Sequence, residues 1–333
     1  MKCKICKKET YTKTIPLCPE CARKDLAIDY VPSIHPNVEK IGKKTSIRCG
    51  LCSNLCGIEE GETGLCNLIK VRSERLISLS TSNVAVLHAY EDPLPTNCCN
   101  AWFCGASKLK GANLAVFYYG CSFDCLYCQN WQHKVVDWGK VVGIEELLDK
   151  AMADRIKCVC HFGGSPEPQL PFAIKFSKEL LKKKEVMICW EWNGSSSKLA
   201  LKAAELSNRS KGTVKFDLKA WNRNLHRILT GRDNKQSLEN FEKIWERCPD
   251  VLSATTLLVP YFVDEKEVEG IAKFISSFSN AIPYSLLVFH PDYRLADMPV
   301  TPEQQVMRCY GTAKKYLKNV NIGNIHLLGR THL

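Results

Sequence analysis

The stretch Ala112–Trp131 reads ANLAVFYYGCSFDCLYCQNW, an apolar, aromatic-rich run that breaks at Gly120 into a loop carrying Cys121, Cys125 and Cys128. The run predicts a strand ending where the cysteines begin. The thiols stand with three and then two residues between them. A closed tetrahedral metal site takes four protein ligands. A loop that offers three leaves one position for something else.

Beyond the loop, apolar stretches rich in β-branched and aromatic residues alternate with charged, helix-period stretches. Further strand candidates are KCVCHFGG (157–164), VMICWEWNG (186–194), TVKFDLKA (213–220), LSATTLLVPY (252–261) and PYSLLVFHP (283–291). Helices are expected over 143–155, 168–184, 195–208, 237–248, 265–278 and 301–318. Such alternation demands parallel strands joined by right-handed crossovers. Six units predict an α/β fold over residues 109–333, a partial (β/α)6 TIM-like barrel. It is open where two further units would have closed the ring.

The composition is that of an ordinary globular protein, 45% hydrophobic and 24% charged in 333 residues. No run approaches the roughly 18 apolar residues of a membrane span, and the opening MKCKICKKET lacks the apolar centre of a signal peptide. A cytoplasmic protein with no membrane partner is expected. The formal charge of +11 is dispersed along helix faces such as KFSKELLKKKE, which makes nucleic acid the less favoured partner. Nineteen cysteines in a reducing compartment point to metal or redox chemistry rather than disulfides.

Two cysteine groups precede the barrel. In residues 1–30, Cys3, Cys6, Cys18 and Cys21 form paired CxxC knuckles, a zinc-ribbon-like unit too small to fold on its core alone. A rubredoxin-like iron site is the competing reading. Residues 31–48, with two prolines and no period, read as a linker. In the cysteine-rich segment 49–108, Cys49, Cys52, Cys56 and Cys66 lie among four glycines at 50, 57, 61 and 64, which suits zinc or an auxiliary iron–sulfur cluster. Cys98, Cys99 and Cys104 are candidates for further ligands. Cys158 and Cys160 share one face of their strand and are candidates for the barrel interior.

Reactive groups of parallel α/β folds sit where strands end. Three thiolates just past the first strand can hold a four-iron cluster with one iron left open, the position a catalytic metal needs. The second strand ends in Gly163 and Gly164, where backbone is exposed to close approach. Glu191 and Asn193 share a face at the end of the third strand, and Asp217 and Lys219 at the end of the fourth. His290 stands at the tip of the sixth.

CxxxCxxC with Tyr127 before its last cysteine is similar to the signature of the radical S-adenosylmethionine superfamily. That resemblance implies a 4Fe-4S cluster on Cys121, Cys125 and Cys128 that chelates S-adenosylmethionine and cleaves it to a 5′-deoxyadenosyl radical. The NG after the third strand, DLK with His226 and a following LTG, and FHPDY resemble the glycyl-radical-enzyme activases, over about residues 95–330. The likeness to pyruvate formate-lyase activating enzymes implies S-adenosylmethionine contacts at the glycine pair, Asp217, Lys219 and His290, and a monovalent cation near Glu191 and Asp217. Ser165 stands where an acidic residue is usual, with Glu167 displaced from it. The block at 49–66 resembles the leader of activase-like relatives whose substrates are unknown.

The expected function is therefore a radical enzyme acting on a protein or peptide, supplied by an electron donor such as ferredoxin or flavodoxin. One alternative is a radical enzyme for RNA or a small molecule, which basic residues around the mouth would favour. Another is a non-catalytic zinc-binding module, which four-ligand sites throughout would favour.

Overall fold

The computed structural model describes residues 1–330 apart from 42, 43, 45, 46 and 97. Strands β1 (Ile69–Arg72) and β2 (Arg75–Ser78) form a small antiparallel hairpin. Nine more strands join one sheet: β3 (Val84–Pro93), β4 (Ala112–Tyr118), β5 (Lys140–Gly143), β6 (Ile156–Gly163), β7 (Met187–Trp192), β8 (Val214–Asp217), β9 (Leu252–Leu258), β10 (Tyr284–Val288) and β11 (Val320–Gly323). Their order is β11-β10-β9-β8-β7-β6-β4-β3-β5, with every neighbouring pair from β4 to β11 parallel.

That order is sequential along the chain, so each crossover helix falls on the same face and the other face lines an interior. All seven residues of β4 are buried, as befits a strand covered on both sides. The expected helices form at Ile144–Ala151, Leu170–Lys183, Ala200–Ser210, Lys235–Arg247, Glu265–Phe278 and Glu303–Lys314. Asp264 caps one of them by accepting from the backbone N–H groups of Lys266 and Glu267. Trp190 and Trp192 are both buried, and the Trp190 indole donates to the carbonyl of Ala203 in the helix Ala200–Ser210 at 2.9 Å.

Three elements exceed the six-unit expectation. β11 adds a seventh parallel strand, while β3 and β5 extend the other end antiparallel. β3 belongs to the segment read from sequence as cysteine-rich and accessory. A further helix, Arg223–Thr230, starts at the Asn222 cap and ends at Gly231, whose φ is +73°.

The amino-terminal residues fold against the sheet rather than apart from it. Ile15, Leu17, Cys21, Val31 and Ile34 share one apolar core with the sheet strands. Part of the 31–48 linker is helical, with Val31–Ile34 and Pro36–Lys40 each begun near a proline. Its residues 42, 43, 45 and 46 fall outside the described ones. A second, smaller apolar cluster gathers Cys56, Ile58, Leu68, Ile69 and Val71 with Val86 and Val136. Among the described residues no helix is long and apolar enough to cross a membrane.

Candidate active site

β4 delivers the cysteine loop to the end of the sheet. Gly120 has φ +78°, and a Cβ there would lie 2.7 Å from the carbonyl oxygen of Cys66, so glycine is required. The loop is pinned at two backbone points, Asp124 N–H to the Thr230 carbonyl at 2.8 Å and Leu126 N–H to that of Leu229 at 3.0 Å. Asp124 also binds Lys134 at 2.5 Å and the buried His35 at 2.8 Å, which ties the amino-terminal segment to the loop.

One cavity collects most of the residues singled out from the sequence. Cys121, Cys125, Cys128, Tyr127, Gly163, Gly164, Glu191, Asn193, Asp217 and Lys219 all line it. His290 is exposed and is absent from that lining. Asn193 donates to Cys121 Sγ at 3.7 Å and to Ser122 Oγ at 2.9 Å, so it positions the first thiol. The glycine pair answers a demand of the backbone itself. A Cβ on Gly163 would meet Tyr118 N at 2.6 Å, and one on Gly164 the Gly120 carbonyl at 2.3 Å. Ser165 lines the cavity, whereas Glu167 is buried behind it, accepting from Ser165 Oγ and from the Ser195 N–H.

The donor set suits a thiolate-bound cluster with a zwitterion beside it. Burial pushes the Cys125 thiol up to about 12 and raises Cys121 and Cys128 as well, while Lys219 and Lys134 pull Cys125 down. Three thiols so placed ionise when a bound metal offsets the desolvation. Lys219 donates to Asp217 at 2.9 Å. Burial opposes both charges, yet Asp217 and Cys125 hold Lys219 above its usual value, and Lys219 and Lys215 hold Asp217 below its own.

Cysteine spacing sorts the groups. Around one zinc ion, bonds of about 2.3 Å in a tetrahedron put sulfurs roughly 3.8 Å apart. The ligand atoms of Cys3, Cys6, Cys18 and Cys21 all lie within 4.8 Å of one another, fit for a single ion. Among the described residues no other such group closes to that distance. The thiols of Cys121, Cys125 and Cys128 do not form such a closed group, and a four-iron cluster does not ask them to, since each thiolate takes its own iron.

Lys215 is the residue the sequence reading passed over, although Lys215, Asp217 and Lys219 alternate on one strand face. It is 5% exposed and donates to Glu191 at 2.6 Å and to Cys99 Sγ at 2.8 Å. Burial opposes its charge, but Cys99 and Glu191 more than offset that and hold Lys215 well above its ordinary value. The Cys98 thiol donates to the other Glu191 oxygen at 3.0 Å. Glu191→Ala strands the Lys215 ammonium, so urea denaturation should show a loss of about 3–5 kcal/mol. An unchanged midpoint would show that the pair is not what keeps Lys215 charged.

A model described as the Radical SAM superfamily matches residues 115–275. A Methanocaldococcus jannaschii protein provisionally named a glycyl-radical enzyme activating enzyme is 27% identical over 215 residues, 62% of this chain and 79% of that one. An uncharacterized protein of the same organism is 26% identical over 293 residues, 84% and 81% of the two chains. The pyruvate formate-lyase-activating enzyme of Staphylococcus aureus is 23% identical over 223 residues, 60% and 88%. Among solved structures, a domain of the pyruvate-formate lyase-activating enzyme from Bacteroides vulgatus aligns at 20% identity over 50% of this chain and 99% of its own, with TM-score 0.40. Streptococcus suis SuiB bound to its precursor peptide SuiA aligns at 14% over 63% and 47%, with TM-score 0.44. The matched stretch, just under half of the chain, begins inside β4 and carries the thiol loop and the strand ends that face it, and this sets aside a non-catalytic zinc module: residues 115–275 carry the match to the radical S-adenosylmethionine superfamily of enzymes.

Proposed function

We propose that this enzyme acts on a protein or peptide, using a four-iron cluster on Cys121, Cys125 and Cys128 with S-adenosylmethionine beside it. When bound, that pair supplies a 5′-deoxyadenosyl radical able to take a hydrogen atom from a substrate. The protein's own work is placement. Asp217 and Lys219 offer a carboxylate and an ammonium side by side, complementary to a ligand with both an amine and a carboxylate. Asn193 fixes the first thiol, and the tight glycine turn at 163–164 brings β6 against the loop.

The observation that carries the substrate class is a second chamber of about 270 Å³ that shares Asn130, Phe162 and Glu191 with the first cavity. No lysine or arginine lines it, while Asp92 and Glu191 do. Phosphate-rich RNA needs cationic contacts that this wall does not offer. A peptide finds the neutral polar groups of Thr96, Ser107, Asn113 and Thr213 there. The names of the activating relatives agree with a protein substrate. We assign residues 109–333 to the radical core, joined by β3 and the wall that residues 90–107 give the second chamber, the rest of 49–108 and the 31–48 linker to accessory roles, and a zinc ion to the 1–30 ribbon. The electron would come from a ferredoxin or flavodoxin in the cytoplasm.

Deuterium tracing tests the substrate class. A lysate from cells grown on deuterated amino acids and nucleosides is split into protein, RNA and small-molecule fractions. Each is incubated anaerobically with the reconstituted enzyme and S-adenosylmethionine. Deuterium should appear in 5′-deoxyadenosine with the protein fraction. Label arising from the RNA or small-molecule fraction alone would overturn the assignment.

A further inference from the structure

Cys49, Cys52, Cys56 and Cys66 surround a pocket of their own. All four line it, and much of the remaining wall is apolar, including Leu51, Leu55, Ile58 and Ile69. No charged side chain faces it. Four thiols turned into one apolar hollow are a ready set of soft-metal ligands.

The loop geometry turns them inward. The Cys49 N–H donates to the Cys56 carbonyl at 3.0 Å, closing a tight ring around the first three thiols. Leu55, just before Cys56, has φ +44°, and Asn67, just after Cys66, has φ +59°. A leucine in the left-handed region is an uncommon and strained choice, and such strain collects where a site dictates the backbone. Gly64 completes the wall, where a Cβ would come within 3.7 Å of Cys56 Sγ.

Spacing speaks against a single closed ion. The ribbon thiols of Cys3, Cys6, Cys18 and Cys21 crowd within 4.8 Å of one another, and no three of the second group do. In a four-iron cluster each thiolate takes its own iron and points away from the centre, so the sulfurs stand apart with the inorganic core between them. Position agrees. Asn54 donates to the Ser122 carbonyl at 2.7 Å, the Cys66 backbone presses on Gly120, and Cys66 and Cys121 border a common cavity.

We propose that Cys49, Cys52, Cys56 and Cys66 bind a second four-iron cluster, seated directly behind the loop of Cys121, Cys125 and Cys128. This assignment stands apart from the substrate class and from the amino-terminal ribbon.

The test is metal analysis of the full chain, reconstituted anaerobically with iron and sulfide, with Mössbauer and EPR spectra of the reduced protein. Wild type should hold about eight irons, two clusters of about four each. Cys52→Ser/Cys56→Ser should hold about four, as should Cys121→Ala/Cys125→Ala/Cys128→Ala, each losing a different spectral component. The combined variant should hold none. Wild type with about four irons and a zinc ion displaceable from residues 49–66 overturns the proposal, and does so even if the serine variant fails to fold. Full iron retention in a folded Cys52→Ser/Cys56→Ser protein overturns it as well. Because the two sets of variants remove separate signals, failure at 121–128 is read independently.

Discussion

Cys125→Ala is expected to reduce 5′-deoxyadenosine formation to the level of a reaction without enzyme, while leaving the fold in place. The loop on either side of Cys125 is held by backbone, through Asp124 N–H to Thr230 and Leu126 N–H to Leu229, so its course does not depend on the thiol. What is lost is one of three ligands, and with two thiolates the open-iron arrangement cannot be held. The measurement is chromatography of product under anaerobic, reducing conditions, beside iron content and thermal midpoint. Cys248→Ala, a buried thiol just past the helix Lys235–Arg247, is the matched control and should keep wild-type turnover. Product from Cys125→Ala at the wild-type rate would remove the loop from the chemistry.

Removing the ribbon's metal should have the next largest effect. Structural zinc sites in isolated small units contribute on the order of 10–16 kcal/mol. The unit of Cys3, Cys6, Cys18 and Cys21 has little else to hold its knuckles together. Cys18→Ser/Cys21→Ser should therefore lose its metal and open residues 1–22 locally. The docking contacts would go with it: Thr12 and the Lys13 N–H to Asp297 at 2.7 and 2.8 Å, and Arg23 to Glu267 and Asp264, both at 2.8 Å. Trypsin should then cut after Lys7, Lys8 or Lys13 at least tenfold faster than in wild type. Equal resistance with the metal gone would mean that docking alone keeps the unit folded.

The part of this site legible in the sequence was the part written in local pattern. A cysteine loop directly after an apolar run, and strand ends whose polar residues alternate, place ten residues around one cavity. His290 was read the same way and stands exposed, outside that lining, although Leu287 of β10 reaches it. What stayed hidden depends on distant partners. β5 is four residues long and pairs with β3 through register, not composition. Lys215 was not singled out, because its partners Glu191 and Cys99 come from other parts of the chain. The glycine pair lines the cavity, and its steric demand comes from Tyr118 and Gly120 across the sheet, which the local pattern does not show. Similarly, the two amino-terminal cysteine groups differ in spacing as strings, but only the folded chain shows that the first closes within 4.8 Å.

The contacts between Thr12 and Asp297 span 285 positions. At about 5–20 residues per second, the partner of the ribbon leaves the ribosome roughly 15–60 s after the ribbon itself. For that interval the first-made unit lacks its docking surface, and a metal on Cys3, Cys6, Cys18 and Cys21 would be what holds its knuckles together. His35 waits in the same way for Asp124 and for the Ile228 carbonyl. A metal held by Cys3, Cys6, Cys18 and Cys21, if loaded on the nascent chain, would therefore make assembly of the collar around the cysteine loop a matter of timing.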